Sequence, residues 1–240
     1  MIKVYRTEPG PESLKDKGDR WEKDLLTQLQ QDFYDKCYIC GKRLDADGEV
    51  EHLLPVLGTQ HPERKHQWRN LFWSCRHCNG IKSTRTGILD CCTSDPETFI
   101  RQKGDGTGKE GFQVEVEPLV PNHLEAEATA NLIKECYCAT NTAMRELICE
   151  KKRERLKDRI DTIDGALLTY VEMRDNNEDL TVQREILQGM VQLDREYAGF
   201  VRTEVRDYLD YCPELAVLLA ITDEKKQSVD AGYDRTEVSV

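Results

Sequence analysis

Two short cysteine motifs, Cys37-Tyr-Ile-Cys40 and Cys75-Arg-His-Cys78, bound the stretch of sequence that decides the fold. The Cys-x-x-Cys spacing lets two thiolates point at one tetrahedral ion, and two such motifs complete a four-coordinate zinc site. A redox dithiol is the weaker alternative, because a redox Cys-x-x-Cys normally occurs once, beside a βαβ pattern. We therefore expect a structural zinc bound by all four cysteines, with no coordination position left open for catalysis.

The segment between and just after these motifs carries polar residues that can act as a base or bind a metal ion. Glu51-His52 lies in a short predicted strand over residues 50–54, Asn70 precedes an apolar run, and Asn79 directly follows the last cysteine. An imidazole can take a proton from water at neutral pH, so His52 is the candidate general base. Hard oxygen ligands suit Mg²⁺ or Mn²⁺, which makes Glu51 and Asn79 candidate ligands of a catalytic ion.

The order of these residues resembles the HNH, or ββα-metal, nuclease family. The shared pattern is Glu-His-x-x-Pro, then Asn-Leu, then Cys-x-x-Cys-Asn-x-x-Lys ending at Lys82. The resemblance implies an endonuclease in which Asn70 bonds to the loop backbone and holds the strand of His52 in place. The segment 61–82 is basic, and we expect four of its side chains to contact nucleic acid. These are Arg69, Arg76, His77 and Lys82.

A closer resemblance links residues 1–100 to the HNH subunit of Septu-type antiphage systems, the PtuB-like proteins, including retron-associated versions. It rests on Met-Ile-Lys-Val-x-Arg at 1–6, Val-Glu-His at 50–52, Trp-Arg-Asn-Leu at 68–71, Ser-Cys-Arg-x-Cys-Asn at 74–79 and Asp-Pro-Glu at 95–97. This resemblance implies a partner, an ABC/SMC-like ATPase (PtuA-like) that binds and restrains the nuclease.

Two other functions remain open. One is a zinc-held module that binds nucleic acid or protein without cutting. The other is a stand-alone restriction or homing enzyme, which the charge distribution disfavours. The net charge is −11, and residues 1–83 hold 14 Lys/Arg and 13 Asp/Glu, which leaves 20 and 32 for residues 84–240. No extended basic surface is therefore visible to supply DNA affinity. The sequence does not choose between DNA and RNA.

The remaining histidines and cysteines suggest structural roles. Three other histidines are alternative candidates for binding a metal ion or transferring a proton, namely His61, His66 and His77. The cysteines outside the two motifs lack a second spaced pair and read as small apolar core residues. Ten cysteines without an export signal indicate a reducing, cytoplasmic location. No run of about 18 apolar residues would span a membrane.

The pattern along the chain predicts an α+β fold, with a zinc-stabilised ββα-metal HNH core between an N-terminal helix and a C-terminal helical lobe. Asp19 can cap a helix over 20–33, and the glycines at 104–108 separate two strands of a β-hairpin. We expect a nuclease domain at 1–120, a partner-binding helical lobe at 121–222 and a polar, frayed tail at 223–240.

Helical periodicity supports the lobe. Asn122 with Glu125 is a capping-box pattern for its first helix. Two apolar repeats at helical spacing follow. The first comprises Leu156, Ile160, Ile163, Leu167 and Tyr170, and the second comprises Ile186, Met190, Leu193, Tyr197, Phe200 and Val205.

Overall fold

A computed structural model describes residues 1–18, 20–45, 47–106 and 111–220. Helices alternate with two small antiparallel sheets, which confirms the α+β class. The strands are β1 (Gly48–His52), β2 (Leu71–Cys75), β3 (Ile100–Asp105) and β4 (Gln113–Pro118). The helices are α1 (Lys23–Asp32), α2 (Arg76–Lys82), α3 (Leu124–Cys138), α4 (Ala143–Asp175), α5 (Thr181–Met190), α6 (Ala198–Asp207) and α7 (Ala216–Leu219).

The first cysteine motif precedes a small unit of β1, β2 and α2, and the second lies at the junction of β2 and α2. In the β1–β2 pair, Gly48 lies opposite Cys75 and His52 lies opposite Leu71. Helix α2 begins directly after Cys75, whose sulfur accepts a hydrogen bond from the Cys78 amide at the first turn. The long segment between the motifs therefore forms one strand, a loop and the return strand, as the wide spacing required.

Strand β1 begins two residues earlier than predicted, at Gly48 and not at Val50. Glycine is needed there because a Cβ atom would lie 2.0 Å from Cζ2 of Trp73. The strand ends at His52. Beyond it, the Leu53 amide adds one more hydrogen bond between the two chain segments by donating to the Asn70 carbonyl at 3.0 Å. Gly48 resembles a turn residue in the sequence, but it is the first residue of the strand.

The N-terminal helix is shorter than predicted. It runs from Lys23 to Asp32 and buries Leu25 and Leu29, which lie on the expected face. Its N-cap residue is Glu22, with no side-chain hydrogen bond. The predicted cap, Asp19, lies outside the described residues.

The second hairpin, β3–β4, confirms the strands predicted around the glycine-rich turn. Ile100 lies opposite Pro118 and Asp105 lies opposite Gln113. Residues 107–110 of the turn itself lie outside the described part of the chain.

The helical half keeps one predicted apolar face and changes the other. All five residues of the first repeat are buried on α4. The second repeat spans two helices, and Ile186 is exposed, while its neighbour Leu187 is buried. Asn122 is also not the cap of α3. It adopts a left-handed conformation with φ 60°, which asparagine tolerates, and His123 accepts the capping hydrogen bond instead.

The boundary between the two larger apolar cores of the described residues lies within α4. The larger core extends from Met1 through the β1–β2 unit to Leu156 and Ile160, and it includes Phe200 of α6. The smaller core begins at Ile163. The boundary at 120/121 stays a prediction, although the larger core continues across it.

Specific hydrogen bonds join the N-terminal region to β3 and to the segment that leads into α6. The buried N-terminal amine donates to Gln102, Lys36 donates to the Arg195 carbonyl at 2.8 Å, and Tyr197 donates to the Gly41 carbonyl at 2.9 Å. Among the described residues, no helix combines the length and apolar character needed to cross a bilayer. The tail from 221 onward lies outside the described residues.

Candidate metal centre and active site

The four cysteines of the two motifs converge on one point. Their sulfur atoms all lie within 4.8 Å of one another, and all four residues are buried. A tetrahedral zinc with Zn–S bonds of about 2.3 Å places its sulfur atoms roughly 3.8 Å apart, so the cluster needs only a small contraction. The donor set fits zinc, and four protein thiolates leave no open coordination position.

A buried lysine from α4 supports this cluster. The Lys152 ammonium donates to Cys78 Sγ at 3.3 Å and to the Cys136 carbonyl at 3.1 Å. Burial alone would lower the pKa of Lys152, but the nearby cysteine thiolates raise it well above its usual value. A zinc with four thiolates carries two negative charges, and Lys152 offsets part of that charge.

The His52 side chain is oriented by a backbone carbonyl. His52 is half-buried, and its Nε2 lies 3.1 Å from the Lys65 carbonyl oxygen. A carbonyl only accepts, so Nε2 carries the hydrogen and Nδ1 of the neutral ring keeps its lone pair. Burial lowers the pKa of His52 below its usual 6.5, so the ring is neutral at pH 7.

Asn70 joins the strand end to the loop. Its Oδ1 accepts from the Leu54 amide at 2.7 Å, and its Nδ2 donates to the carbonyls of Leu54 and Arg64 at 2.9 and 3.2 Å. These are contacts of the kind that the family resemblance implies. They fix the backbone on both sides of the loop whose Lys65 carbonyl holds His52.

Glu51 lies beside His52 on β1 but points toward α2. Its Oε1 accepts a hydrogen bond from the Lys82 ammonium at 2.7 Å, and Lys82 also donates to the His52 carbonyl at 2.8 Å. Burial raises the pKa of Glu51, an effect that the Lys82 ammonium opposes. Lys82 is predicted to contact nucleic acid, but in this structure its side chain is fully buried and faces Glu51.

Asn79, the last residue of the predicted catalytic set, lies on the side of β1 that carries Glu49. Its Nδ2 donates to Glu49 Oε2 at 3.0 Å, which leaves Oδ1 as a possible metal ligand. Only Oε1 of Glu51 is used in the hydrogen bonds among the described residues. Glu51 Oε2 and Asn79 Oδ1 therefore take no part in these hydrogen bonds, and both are hard oxygen donors of the kind that Mg²⁺ or Mn²⁺ prefers.

The other predicted nucleic-acid contacts separate into surface and buried positions. Arg76 is almost fully exposed, with Glu49 at 3.9 Å, and Arg69 is exposed with Glu8 at 3.2 Å. His77 points inward, because its Nε2 lies 3.1 Å from the Cys136 carbonyl of α3. His77 therefore supports the helical packing, and a contact with phosphate would require it to leave this position.

The rival histidines have other partners. His61 Nδ1 lies 3.3 Å from Glu63, on the loop surface. His66 packs edge-on against Trp21, with 5.5 Å between ring centroids, and Trp21 also contacts His52 at 6.1 Å. Trp21 therefore lies between the two imidazoles and covers one side of the candidate base.

The six remaining cysteines mostly fit the prediction of small core residues. Cys91, Cys136, Cys149 and Cys212 are buried, whereas Cys92 and Cys138 are partly exposed. Within the described part of the chain, the only cluster of three or more potential metal ligands from histidine, cysteine or acidic residues is the four-cysteine site.

Two side chains that contribute to these sites were not predicted, although the sequence carries a signal for each of them. Glu49 is two residues before Glu51, so strand alternation places both carboxylates on one face. Lys152 is four residues before Leu156, in phase with the buried stripe of α4. A charged residue on an apolar stripe indicates a buried partner. No sequence signal identifies the Lys65 carbonyl, because any residue provides one.

Comparison with known proteins gives one partial match. The chain is 38% identical over 73 residues to the Septu protein PtuB of Bacillus thuringiensis. The match covers 28% of this chain and 28% of that protein. No family model matches the chain, and no solved structure matches it.

Proposed function

We propose that this chain is a metal-dependent HNH-type endonuclease that hydrolyses phosphodiester bonds, with the β1–β2–α2 unit as its ββα-metal core. The observation that carries the proposal is the orientation of His52. A neutral imidazole with Nε2–H held by a carbonyl presents Nδ1 as a base at the end of a strand. Glu51, the preceding residue, and Asn79 of α2 offer hard oxygen donors, and such hydrolysis requires a base and donors of this kind.

In this proposal each residue has a distinct task. His52 Nδ1 accepts the proton of the attacking water, and the Lys65 carbonyl stabilises the resulting imidazolium. Asn70 keeps that carbonyl in place, and Trp21 limits access of bulk water to one side of the ring. A Mg²⁺ or Mn²⁺ bound at Glu51 and Asn79 would supply charge neutralisation for the scissile phosphate and the leaving oxygen. The zinc is structural.

The biological context rests on the partial similarity to a Septu protein. We propose that the chain acts in antiphage defence, together with an ABC/SMC-like ATPase of the PtuA type. The acidic balance of residues 84–240 agrees with this, because a nuclease with little basic surface depends on a partner to reach nucleic acid.

A second candidate function is a zinc-held binding module without catalysis. The observation that favours it is the buried Glu51–Lys82 pair, since a carboxylate already paired with an ammonium is a weaker metal ligand. The two functions differ in whether Mg²⁺ or Mn²⁺ makes the chain cut.

The test incubates the full chain, with and without the ATPase, with duplex DNA, single-stranded DNA and structured RNA in Mg²⁺, Mn²⁺ or EDTA. The nuclease proposal expects cleavage in either metal and none in EDTA. Binding without cleavage of any substrate in either metal, with the ATPase present, would leave the binding module as the function.

A further inference from the structure

A basic cavity lies beside Cys75 of the four-cysteine cluster, between the β1–β2–α2 unit and α4. Its volume is about 300 Å³, and it is partly open to solvent. Five cationic side chains and one carboxylate line it. The cations are Lys42, Arg76, Lys151, Lys152 and Arg155, and the carboxylate is Asp47.

Two of these cations are already committed to other groups. Lys42 donates to Asp47 at 3.0 Å, and Lys152 lies against Cys78 of the metal cluster. The five cations, the one carboxylate and the two negative charges of a zinc–tetrathiolate leave a net charge of about +2 around the cavity. This excess lies in a chain whose formal charge is −11.

Lys151 and Arg155 are available to a ligand, whereas the exposed Arg76 has Glu49 at 3.9 Å. The ion pairs that α4 forms among the described residues involve Lys157 and Arg174, and neither Lys151 nor Arg155 has an acidic partner there. Lys151 and Arg155 are four residues apart, so they extend from one face of the helix. Glu150 and Glu154 of the same helix do not line the cavity.

We infer that this cavity binds phosphate groups of a polynucleotide backbone and extends the nucleic-acid surface from α2 onto α4. The inference rests on the proposed nuclease function and names a second contact region for its substrate. Among the residues that the structure describes, the lining contains no phenylalanine, tyrosine or tryptophan on which a base could stack. Cations without a stacking platform recognise backbone phosphates independently of sequence.

Arg76 connects the cavity with the candidate active site. It lies three residues before Asn79, which is about 4.5 Å along the helix axis. It is also close to Glu49, the carboxylate that holds the Asn79 amide. A nucleic-acid strand with one phosphate near Asn79 would therefore place its next phosphates at Arg76 and then at Lys151 and Arg155.

The test compares the Lys151→Ala/Arg155→Ala variant with wild type and with a control. The control, Lys157→Ala/Arg184→Ala, removes the same charge from exposed positions outside the cavity. Fluorescence anisotropy measures the affinity of each full-length protein for labelled single-stranded and duplex DNA between 50 and 200 mM salt. Loss of two phosphate contacts should weaken binding roughly tenfold and reduce the slope of log affinity against log salt by about 2. The control should stay within about twofold of wild type.

Three results would overturn the inference. These are unchanged affinity in the cavity variant, an equal loss in the control, and absence of DNA binding by wild type. A thermal shift with inorganic phosphate that requires Lys151 and Arg155, without an effect of these residues on DNA binding, would instead indicate a small-anion site. Cleavage rates at saturating DNA test the proposed function separately. A wild type that binds DNA through this cavity and never cuts it would refute the nuclease proposal alone.

Discussion

At the scale of single residues, the buried Lys82–Glu51 pair is the least expected feature of the candidate site. Both side chains are nearly inaccessible, and Lys82 joins β1 to α2 through two hydrogen bonds. From the sequence, Lys82 was one more cation in a basic segment. Nothing in its local pattern shows that the side chain turns back into the protein, because that direction depends on how α2 packs on β1.

We predict that Lys82→Met destabilises the fold by about 3–5 kcal/mol, because it leaves the Glu51 carboxylate buried without its cation. Chemical denaturation of the full chain measures the effect. The double variant Lys82→Met/Glu51→Gln should recover part of the loss, since it removes the unpaired charge as well. If the double variant is as unstable as the sum of the two single variants, the pair is not the source of the effect.

Glu204 of α6 provides a pH-dependent prediction. It is buried with one carboxylate oxygen lacking a hydrogen bond among the described residues, and burial together with Asp164 and Asp207 raises its pKa to about 7. The folded state therefore favours the protonated form. The stability that this proton supplies is present below the usual pKa of 4.5 and is lost as the pH rises through about 7.

Glu204→Gln should consequently raise the melting temperature at pH 8 by about 2–4 °C and have little effect at pH 4.5. Thermal unfolding at both pH values makes the comparison, with the exposed Glu185→Gln on α5 as a control that should respond at neither. A Glu204→Gln effect of the same size at both pH values would show that the carboxyl group does not titrate as described.

At the scale of secondary-structure elements, sequence patterns predicted most elements but not their ends. The α4 stripe and the β3–β4 hairpin followed from periodicity and glycine placement. The start of β1 did not, because Gly48 resembles a turn residue and its requirement is the Trp73 ring across the sheet. The sequence likewise suggests that His77 is a surface residue of its motif, whereas in the fold its ring contacts the Cys136 carbonyl of α3.

We predict that Gly48→Ala destabilises the protein by about 1–3 kcal/mol, because the added Cβ would overlap the buried Trp73 indole. Gly165→Ala on α4 is the matched control. Its Cβ would meet nothing within 4 Å, so alanine should stabilise this helix by roughly 0.5–1 kcal/mol. Urea midpoints of both variants decide the question, and destabilisation of equal size in both would argue against the close approach at Gly48.

At the scale of the whole molecule, the zinc cluster lies where the two halves of the chain meet. Lys152 from α4 contacts Cys78, and the Tyr137 hydroxyl of α3 donates to the Cys40 carbonyl at 2.7 Å. The cysteine spacing predicted the cluster from the sequence. Its attachment to the helices depends on long-range packing, which no local pattern encodes.

We therefore predict one zinc per chain, and we expect its removal to destabilise α3 and α4 as well as the β1–β2–α2 unit. Metal analysis of wild type and Cys75→Ser, with hydrogen exchange before and after chelation, measures both effects. Cys91→Ser is the control, because Cys91 is buried outside the cluster. Zinc content that is unchanged in Cys75→Ser, or increased exchange confined to residues 37–82, would contradict the prediction.

The central claim, that His52 is the base of a phosphodiester hydrolysis, has one most direct measurement. Single-turnover cleavage rates of the full chain with the proposed ATPase partner are compared for wild type, His52→Ala and the control His61→Ala, in Mg²⁺ or Mn²⁺. We predict that His52→Ala slows cleavage about 10²- to 10⁴-fold while zinc content and melting temperature change little, and that His61→Ala cuts at the wild-type rate. Equal rates for wild type and His52→Ala would show that His52 is not the base and would contradict the account.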